Sequence, residues 1–308
     1  MDHELVCEGL LFPEGPIAMA DGSVILTEIK GQRLSRVTPD GKRETVVETG
    51  GGPNGAAIGP DGAIWITNNG GSFEWLAIPS PDGTTLTIPG PTPASHIGGM
   101  IQRYDLKTGE LRTVYEACEG RRLIGPNDIV FDRQGGFWFT DHGCSTPEGR
   151  KFGGVYYAKT DGSLISRQRD HLISPNGIGL SPDEKVVYVA DTNLGRLWAF
   201  DVAEPGVLAA GPGFAPGRVI CNLQDYQLLD SLAVEAGGKV CVATIINGGI
   251  TAFDPTGSTE HFAFPDILCT NIVFGGPDMR DAWVTASSTG RLYKARWPRP
   301  GLKLNYNV

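Results

Sequence analysis

The chain has 308 residues, a formal net charge of −9 and 40% hydrophobic residues. No Lys/Arg-rich stripe offsets that charge, which argues against nucleic acid or an anionic membrane as partner. No run approaches the ~18 apolar residues of a membrane span, and 43 Gly with 22 Pro call for many tight turns.

In chain order, Met1-Asp2-His3-Glu4 is acidic and lacks a leader pattern, so a cytoplasmic protein is expected. Residues 3–10 read as a strand. Glu14-Gly15 then opens four short β-rich runs, 16–19, 23–28, 33–38 and 43–48, separated by turns. This four-strand template, A to D, recurs. Pro53-Asn54-Gly55, Pro126-Asn127-Asp128 and Pro175-Asn176-Gly177 are its clearest later openings; Asp230-Ser231 and Asn271-Ile272 are looser ones. The six lead residues Glu14, Asn54, Asn127, Asn176, Asp230 and Asn271 stand 40, 73, 49, 54 and 41 residues apart. Strand-rich units at such a period predict an all-β, six-bladed β-propeller with four antiparallel strands per blade, one domain over residues 1–308.

The last repeat offers strands at 271–274, 282–286 and 291–296 but no fourth. The N-terminal strand, 3–8, is expected to supply it and close the ring. Two insertions, 69–99 with Phe73 and Trp75 and 142–153 with His142 and Cys144, fall between strands B and C of their blades. Strand A starts at the lead residue and B returns, so both insertions and all six lead residues share one face. Long loops beside converging polar side chains mark the expected site. The six cysteines show no close-paired metal spacing; Cys7, Cys221 and Cys241 lie in apolar runs and are expected in the core, while Cys144 is expected in an accessible loop.

Asn, Asp and Gly are ordinary turn residues. Here, however, one position in six repeats carries an oxygen donor, twice as a carboxylate. Glu14, Asn127, Asn176 and Asp230 form a hard-oxygen set suited to a divalent cation, Ca²⁺ first, with Mg²⁺, Mn²⁺ or Zn²⁺ as substitutes. Two carboxylates buried at a channel are costly without one.

At these residues the sequence resembles the senescence marker protein/gluconolactonase/luciferin-regenerating enzyme family. The resemblance rests on Phe12-Pro13-Glu14-Gly15-Pro16, on Pro126-Asn127-Asp128-Ile129 followed by Trp138-Phe139-Thr140-Asp141, on Ser174-Pro175-Asn176-Gly177-Ile178, on Asp230 with Ala233-Val234, and on Phe274-Gly275-Gly276-Pro277-Asp278. It implies a six-bladed propeller whose metal ligands map onto Glu14, Asn127, Asn176 and Asp230, and hydrolysis of lactones or related esters. Animal gluconolactonases of this family carry an Arg two positions before the Asn-Asp pair, where it grips the sugar acid. Here that position is Gly125, which points to a less polar lactone or ester, with Phe73 and Trp75 as an apolar wall.

The expected reaction is attack of water on a lactone carbonyl polarised by the metal. Asp230 either orients and deprotonates that water or serves chiefly as a ligand. Asp128 is a candidate substrate contact and catalytic carboxylate, His142 a candidate proton donor. Asn54 and Asn271 are expected to line the pocket as substrate-binding amides. The alternatives are an aryl-ester or phosphotriester hydrolase on the same metal, and a non-catalytic calcium-binding scaffold. The expected partner is a small-molecule lactone or ester, and the expected state a monomer. A Ser-His-Asp hydrolase is a poor fit, since no Gly-x-Ser-x-Gly turn is present.

Overall fold

The computed structural model describes residues 1–80 and 83–307. Among them every regular element is a strand. Six sheets stand around a central channel as a six-bladed propeller. Blade 1 is Pro13–Ala18, Val24–Glu28, Arg33–Val37 and Arg43–Glu48. Blade 2 is Pro53–Ile58, Ile64–Asn68, Met100–Tyr104 and Leu111–Tyr115. Blade 3 is Pro126–Phe131, Gly136–Asp141, Gly153–Lys159 and Ile165–Leu172. Blade 4 is Pro175–Leu180, Val186–Asp191 and Arg196–Glu204, edged by both Val207–Leu208 and Arg218–Asn222. Blade 5 is Leu228–Val234, Val240–Ile245, Gly249–Phe253 and Thr259–Ala263.

Blade 6 takes three strands from the end of the chain, Cys269–Gly275, Asp281–Ala286 and Arg291–Arg296, and its outer strand from the start, His3–Cys7. His3 faces Ala295 and Leu5 faces Tyr293 in an antiparallel ladder. The N-terminal strand thus closes the ring, as the missing fourth strand required.

Side-chain chemistry explains the layering. Strand B of each blade is sandwiched by its neighbours and reads as a nearly continuous apolar run, as in Ile64-Trp65-Ile66 and Phe137-Trp138-Phe139. Strand D of blade 1, Arg43–Glu48, faces solvent and carries Arg and Glu beside Thr and Val. The core is divided accordingly, one apolar cluster filling each gap between adjacent blades. Trp65 with Phe131 and Phe137 fills the gap between blades 2 and 3. Cys7 and Cys241 are buried as expected, but Cys221 is half-exposed on an outer strand. Cys144 is also buried, in a short strand of the second insertion rather than an open loop.

The C-terminal tail closes the face opposite the insertions. Trp297 is buried and donates its indole N–H to Glu235 at 2.8 Å, and Arg299 pairs with the same carboxylate at 2.6 Å. Leu302 donates its backbone N–H to Val234, and Asn305 donates its side-chain amide to the Phe131 carbonyl. Leu302 and Leu304 line a small cavity, about 70 Å³, low in the channel.

Candidate active site

Each inner strand breaks its ladder at or beside the lead residue. In blades 2, 3 and 4 the pairing jumps from Pro53 to Ala56, Pro126 to Ile129 and Pro175 to Ile178. Blades 1, 5 and 6 are irregular between Glu14 and Ile17, Leu229 and Leu232, and Cys269 and Asn271. A bulge re-aims side chains; here it turns the lead residues toward the axis. The residue after the first lead must then be very small. Gly15 has φ of 47°, and a Cβ there would meet the Asn54 carbonyl oxygen at 2.5 Å.

The second strands hold this arrangement from both sides. Thr27 donates its hydroxyl to the Asn54 carbonyl at 2.6 Å, and Thr67 to the Asn127 carbonyl at 2.5 Å. Thr140 does the same for Asn176 at 2.5 Å. Each threonine therefore fixes the lead residue of the following blade. The polar residue that ends the strand fixes its own blade. Asp141 accepts the backbone N–H groups of Ile124, Gly125 and Gly143, and Asn68 those of Gly52 and Gly70. These threonines recur in the sequence as "ILTE", "WITN" and "WFTD", a signal that marks them as scaffolding of the site.

Glu14, Asn54, Asn127, His142, Asn176 and Asp230 line one cavity of about 380 Å³ at the channel mouth. All six are buried. Asp128 and Asn271 sit one layer lower and line the small cavity instead. From there Asn271 donates its amide to Glu14 Oε2 at 2.7 Å. Asp128 accepts N–H groups from Ile129 at 2.9 Å and Ile178 at 3.2 Å.

The electrostatics are those of crowded, desolvated acids. Burial, and next the charge of Asp230, push the Glu14 carboxyl well above its usual range. Burial raises Asp230 too, against a hydrogen bond from Asn176 that lowers it and the charge of Asp128 that adds to it. Asp128 is pushed up to about 7, by burial above all. His142 is pushed down to about 3, by burial first and then by the Arg150 charge, so its ring is neutral.

Two buried oxygens in this cavity lack any hydrogen-bond partner, Glu14 Oε1 and Asn127 Oδ1. Asn176 has its amide nitrogen taken by Thr192 at 3.1 Å. Its oxygen has only a 3.4 Å contact with the Ser231 hydroxyl. Orphaned acceptors beside mutually repelling carboxylates fit a hard divalent cation. Among the described residues no three His, Cys, Asp or Glu side chains gather as a metal site; this set is two carboxylates completed by amides.

The two insertions roof the mouth. Trp75–Pro79 pairs with Thr85–Pro89, and Thr87 of this hairpin donates its N–H to Ser288 of blade 6 at 2.8 Å. The hairpin therefore crosses from blade 2 over blade 1. Beneath it Trp75 packs on Phe12 with ring centroids 4.8 Å apart, beside Phe73, Ile88 and Leu268. The second insertion pairs Cys144–Thr146 with Gly149–Lys151 and is tied to the first by Thr92 N–H to the Ser145 carbonyl. It brings Arg150 into the cavity wall, a residue nothing in the local sequence singles out. It also accounts for Gly125, where a Cβ would lie 2.8 Å from the Gly143 carbonyl oxygen.

The family model described as the SMP-30/gluconolactonase/LRE-like region matches residues 12–288. The chain belongs to that family. It is 25% identical to the gluconolactonase of Zymomonas mobilis over 298 residues, covering 89% of this chain and 72% of that protein. It is 35% identical to lactonase drp35 of Staphylococcus saprophyticus over 133 residues, 43% of this chain. That match spans only 39% of the drp35 lactonase's own length. Among solved structures, a gluconolactonase from Xanthomonas campestris superposes with a TM-score of 0.74 at 23% identity, covering 96% of this chain and 89% of that one. At that identity the likeness speaks for the fold. Among the described residues no helix is long and apolar enough to cross a membrane.

Proposed function

We propose that the protein is a divalent-metal-dependent lactonase, with Ca²⁺ as the preferred ion. The observation that carries this is the pair of unpartnered buried oxygens, Glu14 Oε1 and Asn127 Oδ1, in an open cavity that also holds Asp230. Glu14, Asn127, Asn176 and Asp230 would hold the ion through carboxylate and amide oxygens. When bound, it supplies a Lewis acid for the lactone carbonyl. Family membership supports hydrolysis of this ester class, and so do relatives named gluconolactonase and lactonase. A structural neighbour from Agrobacterium tumefaciens is described as a calcium-binding protein, regucalcin.

The chain's own residues do the rest. Asp230 takes a proton at a carboxylate oxygen from the water whose oxygen bonds to the carbonyl carbon; the ring C–O bond then breaks, and Asp230 returns that proton to the ring oxygen, which leaves as a hydroxyl. His142, held neutral, is a hydrogen-bond acceptor at its unpartnered Nδ1. Asn54 presents an amide to the bound ring. The hairpin over Phe12 and Leu268 excludes bulk water, which strengthens every polar contact inside. A non-catalytic scaffold with a structural ion would fill its mouth with bulky side chains; here about 380 Å³ stays open.

A panel of aldonolactones, apolar γ- and δ-lactones and paraoxon, assayed with and without chelator, tests the reading. Lactone turnover lost on chelation and restored by calcium is the expected result. Turnover that survives complete metal removal overturns the metal dependence, and paraoxon as the preferred substrate overturns the lactonase assignment.

A further inference from the structure

The mouth cavity has two unlike walls. One is apolar, made by Phe12, Phe73, Ile88 and Leu268. The other carries Arg150, with Ser145, Thr192 and Asn193 around it. Arg150 is half-buried and forms no ion pair among the described residues. Three other partly buried arginines pair, Arg33 with Glu28, Arg103 with Asp61 and Arg299 with Glu235, whereas Arg169 and Arg280 donate only to backbone carbonyls and, unlike Arg150, do not line the mouth cavity. The Arg150 hydrogen bonds go only to neutral acceptors, from Nε to the Ile173 carbonyl, from Nη1 to the Ser145 hydroxyl at 3.0 Å and from Nη2 to the His142 carbonyl at 2.6 Å. A guanidinium has five donors. Two remain, on a charge that no direct ion pair meets. The acids whose charges reach it, Asp191 and Asp141, form no ion pair with it: Asp141 is held by three backbone N–H groups, and Asp191 accepts from Ser174 through Oδ1 while its Oδ2 has no hydrogen-bond partner.

A partly desolvated cation without a counter-charge is unfavourable unless something supplies one, and a guanidinium matches a carboxylate's two oxygens. We infer that Arg150 anchors a carboxylate carried by the substrate, so that the preferred lactone is an acid as well as an ester. This rests on the lactonase reading and names its substrate class. A single carboxylate fits better than a phosphate, because Glu14 and Asp230 line the same cavity and repel a dianion. The acid-bearing part lies toward blades 3 and 4, and the rest of the ring against the apolar wall. Opening such a ring adds one water, breaks the ring C–O bond and leaves a hydroxy-dicarboxylate.

The test compares γ-butyrolactone-γ-carboxylate with its neutral carboxamide on calcium-loaded wild type, Arg150→Met and Arg150→Lys. The wild type should favour the carboxylate by about 10- to 100-fold in kcat/KM, the scale of a hydrogen-bonded charge. Arg150→Met should bring that ratio to near one, and Arg150→Lys should restore part of it. Because Arg150 also ties two loops together, a purely structural role lowers both rates and leaves their ratio unchanged. A wild-type ratio near one, or a ratio kept in Arg150→Met, overturns the assignment. If neither lactone is turned over, the lactonase reading fails separately, and calorimetry with α-hydroxyglutarate decides the anchor. Binding weakened tenfold or more in Arg150→Met supports it; equal or absent binding in both proteins refutes it.

Discussion

Asn271, in the last blade, donates its side-chain amide to Glu14 Oε2, in the first, at 2.7 Å across the closure of the ring. Glu14 Oε2 also accepts the Gly15 N–H at 2.7 Å, so one carboxylate oxygen is held by two donors and the other, Oε1, is left for a ligand. Partners behind a metal ligand typically govern affinity by 10- to 100-fold. Asn271→Ala should therefore weaken calcium binding by about that factor while the thermal transition stays cooperative. Calorimetric titration of the metal-stripped variant checks this; an unchanged dissociation constant removes Asn271 from the account.

The ring depends on its first strand. Four register pairs join His3–Cys7 to Arg291–Arg296, and Cys7 is buried against Leu292 and Trp283. At about 1 kcal/mol per hydrogen bond, deleting residues 1–9 should cost on the order of 4 kcal/mol and expose a raw sheet edge. Denaturant unfolding of the truncated chain should show a lower midpoint and concentration-dependent aggregation. A midpoint equal to that of the full chain contradicts closure by this strand.

Calcium binding should depend on pH in a definite direction. In the metal-free chain burial raises Glu14, Asp230 and Asp128, the last two to about 8 and about 7. The corresponding unfolded values lie near 4. The folded metal-free chain therefore holds protons that the unfolded chain has lost, and its stability falls as pH rises from about 4 through those raised values. Calcium requires the ionised forms and must displace the protons. The gain in melting temperature on adding calcium should grow from about pH 5 to about pH 8 and then level off. A gain that is flat over that range shows that the ion binds elsewhere.

The sequence makes the repeat legible because Pro-Asn serves both turn chemistry and the crowded axis, and it recurs in three blades. Ring closure follows from the same count. The layer on which each lead side chain ends is not legible. Bulges set it, which is why Asn271 and Asp128 lie beneath the mouth cavity while Asn54 lines it. Arg150 escapes notice because its meaning comes from its place in the cavity wall and from the neutral acceptors it donates to in space. The tail through Trp297, Leu302 and Leu304 has no period, and its role depends on Glu235, 62 residues from Trp297 in sequence. The threonines of "ILTE", "WITN" and "WFTD" are the opposite case, plain in the repeat once their reach into the next blade is known.

The central claim is that four blades present their oxygens to one cation. Calorimetric titration of the metal-stripped chain with calcium, beside Asp230→Ala, addresses it most directly. The account predicts one site per chain in the wild type and an affinity at least about 100-fold lower in the variant, since truncation leaves the set without one of its two charges. A wild-type chain that takes up no divalent ion, or a variant that binds calcium as tightly as its parent, contradicts it.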